Sequence, residues 1–293
     1  DYNQGIEPSV AVFIDGIYRS KMQSQISDLP IIERIEVLRG PQSTLFGKNA
    51  TAGVINIVTK KPSFEKSGYA SMTVGNFNSK IGKIYTTGPI NETTAYSFYA
   101  STNKSDGHSD NVTTGGNINN RDRFTSRGEI LINPYDNLSV RITADYDEYD
   151  EICCAVTNAN YGVGNQKVLL GVGGVIPNDP FVQKVFFDFD PTTSGDNTGI
   201  SAHVKYALDG MIFESISSIR NSYMENVQDV DFDSGGVVNP SPITQDLDAV
   251  TQEFRLYSDN DTNLNWLIGA YYFQEDMDYT ESIYYGPLFR SYI

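Results

Sequence analysis

Three stretches of the chain alternate strictly between apolar and polar positions. In 138–146, Leu138, Val140, Ile142, Ala144 and Tyr146 share one face, and Ser139, Arg141, Thr143 and Asp145 share the other. In 200–208, Ile200, Ala202, Val204, Tyr206 and Leu208 oppose Ser201, His203 and Lys205. The stretch 264–272 repeats the pattern with Leu264, Trp266, Ile268, Ala270 and Tyr272, although its other face is less polar. A period of two means strands with one greasy and one wetted face. Nine such segments are predicted, at 67–75, 79–89, 94–104, 122–133, 138–149, 198–208, 211–225, 247–258 and 263–277; the first two and 211–225 alternate poorly.

The connections are as informative as the strands. Those at 76–78, 90–93, 134–137, 209–210 and 259–262 are short, and those at 105–121, 150–197 and 226–246 are long. After the first, short and long alternate. A structureless connection as long as 150–197 is unusual inside a compact soluble domain. Transmembrane β-barrels have short turns on one side of the membrane and longer loops on the other, joined by strands of about ten alternating residues. Only a closed barrel satisfies every backbone group in lipid without helices. A soluble β-sandwich or solenoid would share the alternation, so the loop asymmetry is what favours the barrel.

The first 62 residues differ in texture. Val10 to Ile14 is a continuous apolar run ended by Asp15-Gly16, and Ile31 to Leu38 is a second, cut off by Arg39-Gly40-Pro41. Ser43 to Phe46 suits a single helical turn before Gly47, and Val54 to Val58 is a third apolar run, closed by Thr59-Lys60-Lys61-Pro62. Short apolar strands with brief, glycine-marked connections predict a compact mixed α+β unit. The boundary falls at Pro62, giving domains 1–62 and 63–293.

Composition narrows the class further. The 293 residues include 19 Tyr and 15 Phe against one Trp and two Cys. Aromatic girdles at both membrane interfaces would account for that load. A net charge of −16 leaves no basic face for phosphates, which argues against nucleic-acid binding. The run from Val168 to Ile176 is about half of the ~18 apolar residues that a spanning helix requires. Cys153 and Cys154 are adjacent. Neighbouring α-carbons lie about 3.8 Å apart across an ordinary peptide, short of the ~4.4–6.8 Å usual for a disulfide, so none is expected. The chain starts at Asp1 with no signal peptide and is expected to be a processed or truncated piece.

Several tempting sites fail on their chemistry. Asp229, Asp231 and Asp233 have calcium-loop spacing, but Ser234 and Pro240 replace the glycine and the bidentate glutamate that such a loop needs. Gly107-His108-Ser109-Asp110 lacks the final glycine and the feeding strand of a nucleophile elbow. His108 and His203 have no local ligand partners, and Gly171-Val172-Gly173-Gly174 lacks dinucleotide-loop spacing. No catalytic constellation, metal site or cofactor is expected.

The segment from Ile32 to Pro62, I-E-R-I-E-V-L-R-G-P-Q-S-T-L-F-G-K-N-A-T-A-G-V-I-N-I-V-T-K-K-P, resembles the plug signature of TonB-dependent outer-membrane receptors. Upstream, V-A-V-F-I-D-G-I-Y-R from Val10 to Arg19 resembles the preceding plug strand. Within 251–276, T-Q-E-F-R-L-Y-S-D and N-W-L-I-G-A-Y-Y-F-Q-E-D resemble a barrel hairpin of the family. The resemblance implies a mainly β fold: part of a transmembrane antiparallel β-barrel, about nine strands of a 22-stranded type, with the C-terminal half of a mixed α+β plug. It places both termini of the whole receptor in the periplasm, and hence the loops at 105–121, 150–197 and 226–246 outside the cell.

The same resemblance implies roles for particular residues. Arg39, Gly40, Pro41, Gly47, Gly53 and Asn56 belong to the plug motif, the glycines at points of positive φ or close backbone approach. Arg39, with Glu33 and Glu36 as acidic counterparts, is expected to make charge-assisted contacts with the barrel wall. The apical Tyr18, Arg19, Lys21 and Gln23 are candidates for binding an anionic iron chelate, with Tyr161 and Phe181 as weaker outer-loop candidates. Expected partners are TonB, outer-membrane lipid and a scarce nutrient, foremost a ferric siderophore. Haem, cobalamin, nickel or an oligosaccharide are alternatives within the family. A porin-like barrel is the rival outside it, and such a barrel would begin with strands rather than with a mixed domain.

Overall fold

A computed structural model describes residues 8–20, 31–47, 49–156, 163–171, 174–176, 179, 181–230, 232, 234–259 and 264–286. The apolar runs near the start pair with one another. β1 (Val10–Ile14) and β2 (Ile17–Arg19) form a hairpin whose turn holds Asp15 at φ 52° and Gly16 at φ 80°. β3 (Ile32–Arg39), α1 (Ser43–Phe46) and β4 (Gly53–Thr59) complete a four-stranded sheet of order β2-β1-β4-β3, in which β4 runs parallel to β1. Ala11, Phe13, Tyr18, Ala50 and Val54 form its buried core. Gly40 and Gly47 take left-handed φ of 84° and 76° at either end of the segment carrying α1. Gly53 instead allows close approach: a Cβ there would stand 2.6 Å from the Leu38 carbonyl oxygen.

The chain continues through β5 (Ser67–Val74), β6 (Lys80–Pro89) and β7 (Thr94–Ser105). Two short strands, β8 (Ser109–Asn111) and β9 (Asn117–Ile118), precede β10 (Arg121–Tyr135) and β11 (Leu138–Ile152). After α2 (Val163–Gly171) and β12 (Lys184–Val185) come β13 (Thr192–Leu208) and β14 (Met211–Gln228). β15 (Val238–Asn239), β16 (Ser241–Ser258), β17 (Leu267–Glu281) and β18 (Tyr284–Tyr285) complete the list. β5, β6, β7, β10, β11, β13, β14, β16 and β17 pair in that order into a nine-stranded sheet, antiparallel throughout. These are the nine segments expected from alternation. No described helix is long and apolar enough to cross a membrane.

Two expectations are corrected. The connection 150–197 is not structureless: β11 extends to Ile152, β13 begins at Thr192, and α2 and β12 lie between them. It folds because Val185 and Phe187 bury against Ile118, with Ile152, Ala155 and Phe232 packed around them. Cys153 and Cys154 are joined by a disulfide across a cis peptide, with α-carbons 2.9 Å apart; the expectation had assumed the trans spacing.

Register sets the outward residues of the large sheet in level rows. Ile142, Ala202, Ser217, Gln252 and Tyr272 stand side by side across β11, β13, β14, β16 and β17. The next row outward is Ala144, Ile200, Ile219, Val250 and Gln274, and the row beneath is Val140, Val204, Ser215, Phe254 and Ala270. Above them the chemistry changes abruptly to Tyr146, Thr198, Asn221, Asp248 and Asp276, then Glu148, Asp196, Tyr223, Asp246 and Asp278. A greasy band closed by a polar row is what a hydrocarbon boundary demands of a barrel wall. The opposite face is polar, with Arg141, Thr143, Asp145, Ser201, Ser218 and Arg220 along its middle.

Candidate functional site

The small sheet lies on the polar face of the large one, and the seam between them is ionic. Asp15 is the centre. Its turn is held by Thr59 at the end of β4, whose backbone N–H donates to Oδ1 at 2.9 Å and whose hydroxyl donates to Oδ2 at 2.7 Å. From the wall, Arg127 of β10 donates to Asp15 Oδ2, and Arg141 of β11 approaches Oδ1 at 3.4 Å. Arg127 also donates to Glu129 at 2.6 Å, so one guanidinium joins plug-side and wall-side carboxylates. Asp15 and Arg127 are almost wholly buried, with side chains 4% and 7% exposed.

Burial alone would raise the Asp15 carboxyl. The Arg127 and Arg141 guanidiniums and the two Thr59 hydrogen bonds overcome it and hold the group below its ordinary value. A second cluster lies beside the first. Asp145 of β11 accepts two hydrogen bonds from Arg220 of β14, at 3.0 and 2.5 Å, and faces Arg19 of β2 at 4.0 Å. Burial pulls the Arg19 guanidinium below its ordinary value, against the raising influence of Asp145. An aromatic contact completes the seam. The Tyr18 ring meets Phe273 of β17 edge-on at 5.7 Å, and its hydroxyl accepts from Asn49 Nδ2 at 2.6 Å.

The residues singled out from the sequence are distributed differently. Tyr18 and Arg19 are buried in the seam, whereas Lys21 and Gln23 lie outside the described residues, as does Tyr161. Phe181 is exposed in the outer region. Arg39 is exposed at the end of β3, its backbone paired with Gly53. Glu33 and Glu36 bind Arg34, at 3.0 and 2.7 Å, and Asn56 Nδ2 donates to Glu36 at 2.8 Å. Those hydrogen bonds, Arg34 foremost, lower the Glu36 carboxyl. The described side-chain contacts of Glu33 and Glu36 stay within the small sheet.

Sequence reasoning missed Asp15, Arg127, Arg141 and Arg220 as a unit. The available signals were a charged residue in a left-handed turn between apolar strands, and arginines on the wetted face of an alternating strand. Such a seam can hold two bodies together by bonds that break and re-form without covalent chemistry. Among the described residues no group of three or more His, Cys, Asp or Glu could hold a metal ion.

Residues 3–54 match the family model described as the TonB-dependent Receptor Plug Domain. A pesticin receptor from Yersinia enterocolitica is 26% identical over 291 residues, covering 96% of this chain but 39% of its own length. An iron-regulated outer membrane virulence protein from Vibrio cholerae is 35% identical over 118 residues, 38% of this chain and 18% of its own length. Among solved structures, the ferric yersiniabactin uptake receptor FyuA from Yersinia pestis superposes with a TM-score of 0.79 at 21% identity, over 94% of this chain and 41% of that one. The chain thus spans about two fifths of such receptors.

Proposed function

We propose, for a chain that belongs to the TonB-dependent receptor family, that the whole receptor imports a ferric siderophore across the outer membrane of a Gram-negative bacterium. The observation that carries this reading is the buried Asp15–Arg127–Arg141 seam. It seats a small mixed sheet against the wetted face of a wall whose other face is greasy. A stopper held by reversible ion pairs suits gated import; a passive pore has no use for one. The relatives' names support the substrate class: a ferric yersiniabactin uptake receptor, a ferric enterobactin receptor and ferrioxamine receptors are among them.

In this reading the division falls at Pro62, with plug residues 1–62 and barrel residues 63–293. The ligand is captured from outside, and TonB then drives rearrangement of the plug. Tyr18 and Arg19 fix the base of the apical segment, and Lys21 and Gln23 beyond it meet the anionic chelate. Arg39, Glu33 and Glu36, on the side of the small sheet away from the seam, engage further barrel wall. No step needs an enzyme's nucleophile or a resident cofactor.

The test is growth of an iron-starved strain lacking its own receptors, complemented with the full-length protein and offered a panel of ferric siderophores, haem and cobalamin. Growth on one siderophore, abolished when TonB is deleted, is the expected result. Growth on haem alone, or TonB-independent leakage of small sugars, would replace this reading with its rivals.

A further inference from the structure

One row of the wetted face carries an extra carboxylate. Register aligns Asp145 of β11, Gly199 of β13, Arg220 of β14, Ala249 of β16 and Glu275 of β17 side by side. Neighbouring strands stand about 4.8 Å apart, so the backbone of Arg220 lies roughly 10 Å from that of each acidic residue. It reaches Asp145 because Gly199, in between, has no side chain. A Cβ there would meet Arg220 Nη1 at 2.0 Å and Cζ at 2.4 Å, so the guanidinium lies directly over the glycine. From that position it donates to both Asp145 oxygens, at 3.0 and 2.5 Å.

The other flank is built to a similar measure. Ala249 has the smallest side chain after glycine, and Glu275 is one methylene longer than Asp145, which offsets the methyl group to be crossed. Glu275 Oε2 is buried and has no hydrogen-bond partner among the described residues. Buried polar atoms are rarely left in that state. On the plug side, Arg19 stands 4.0 Å from Asp145 Oδ1, farther than either Arg220 contact. Arg127, the cross-strand neighbour of Asp145 on β10, is engaged by Asp15 and Glu129.

We infer that Arg220 is a positioning residue with two seats, Asp145 and Glu275, and that its seat decides how firmly the wall holds Arg19 of the plug. On Asp145, as here, it keeps Arg19 from closing on that carboxylate, and the β2 end of the plug is lightly held. Swung across Ala249 to Glu275, it satisfies the second carboxylate and yields Asp145 to Arg19, which tightens the same end. Asp145 is paired in both states, so the exchange avoids the cost of a bare buried charge there. The inference rests on the reading of the small sheet as a releasable plug and adds control of one end of it.

Gly199→Ala tests this, because the methyl group would displace the far end of a flexible side chain and not backbone. A crystal structure of the full-length variant should show Arg220 on Glu275 and Arg19 within hydrogen-bonding distance of Asp145. Limited proteolysis at Lys60-Lys61 should run about threefold slower than in the parent receptor, the scale of one added hydrogen bond. Arg220→Leu, which vacates Asp145 by another route, should slow it likewise. Adding Arg19→Gln to Gly199→Ala should cancel the slowing, and Arg19→Lys in its place should restore it. Heat-modifiable gel mobility confirms a folded barrel in each variant. Cleavage that is unchanged or faster in either folded single variant, or slowing that persists with Arg19→Gln, would overturn the inference. Uptake is scored separately by the growth panel, so the import reading stands or falls on its own.

Discussion

The two sides of the small sheet have opposite fates. On the side of β1 and β2, Asp15 and Arg19 are buried and exchange charge with arginines and aspartates of the wall. On the side of β3, Ile35 and Val37 stand exposed, and Glu33, Arg34 and Glu36 exchange charge only with their neighbours in the described contacts. The difference is one of energetic consequence. Surface pairs are screened by water and stabilise little. A buried pair is costly to leave half-made, because the surviving charge has neither water nor partner. One side fastens the stopper; the other leaves it free to engage something else.

Four measurements sharpen that contrast, in decreasing order of expected effect. Arg127→Ala leaves the buried Asp15 carboxylate without its principal partner and should weaken plug seating by about 3–5 kcal/mol. Limited proteolysis at Lys60-Lys61 of the full-length receptor reads this as faster cleavage. Tyr18→Phe removes the acceptor for Asn49, a loss of about 1 kcal/mol, and should show as a small shift in the urea midpoint of the plug. Acidification should act through Asp15. Its folded value lies below the ordinary 3.8, so its contribution is fully present above that pH and is lost as pH falls further. The Asp15 contribution to seating should thus stay constant from pH 7 to about 4 and be lost below, and Asp15→Asn should remove this acid step. Glu36→Gln, on the exposed side, should leave proteolysis and urea midpoint unchanged. A Glu36 effect as large as that of Arg127 would erase the distinction between the sides. In transport, Arg39→Ala should impair uptake with normal surface expression, and unchanged uptake would remove its proposed role.

The legibility of the sequence follows the same physics. Strands β11, β13 and β17 are visible because lipid on one face and water on the other force strict alternation over their middle parts. Their outer ends are not, because above the row of Asn221 and Asp248 both faces are polar. β13 therefore begins at Thr192 rather than 198, and β16 at Ser241 rather than 247. The short strands β8 and β12 were hidden for another reason: each is three residues or fewer and is stabilised by partners far along the chain.

The site was half legible. Alternation placed Arg141 and Asp145 on the wetted face, but periodicity within a strand carries no information about what that face meets. Asp15 read as a turn former beside Gly16, which it is. That its carboxylate also receives two arginines from residues more than a hundred positions away is tertiary information. The family motif drew attention instead to Arg39, where the backbone geometry of Gly40 and Gly53 came out as anticipated but the guanidinium makes no described contact with the wall.

The parallel pairing of β1 with β4 has a mechanical consequence. Tension entering the chain ahead of Val10 and leaving through Lys60 toward β5 pulls on opposite ends of two parallel neighbours. Their interstrand bonds then bear the force together in shear, instead of parting one after another as in a zipper. With Asp15 clasping Thr59 at the far end of the same pair, a tug on this strand is passed on to the wall before the pair itself can slip.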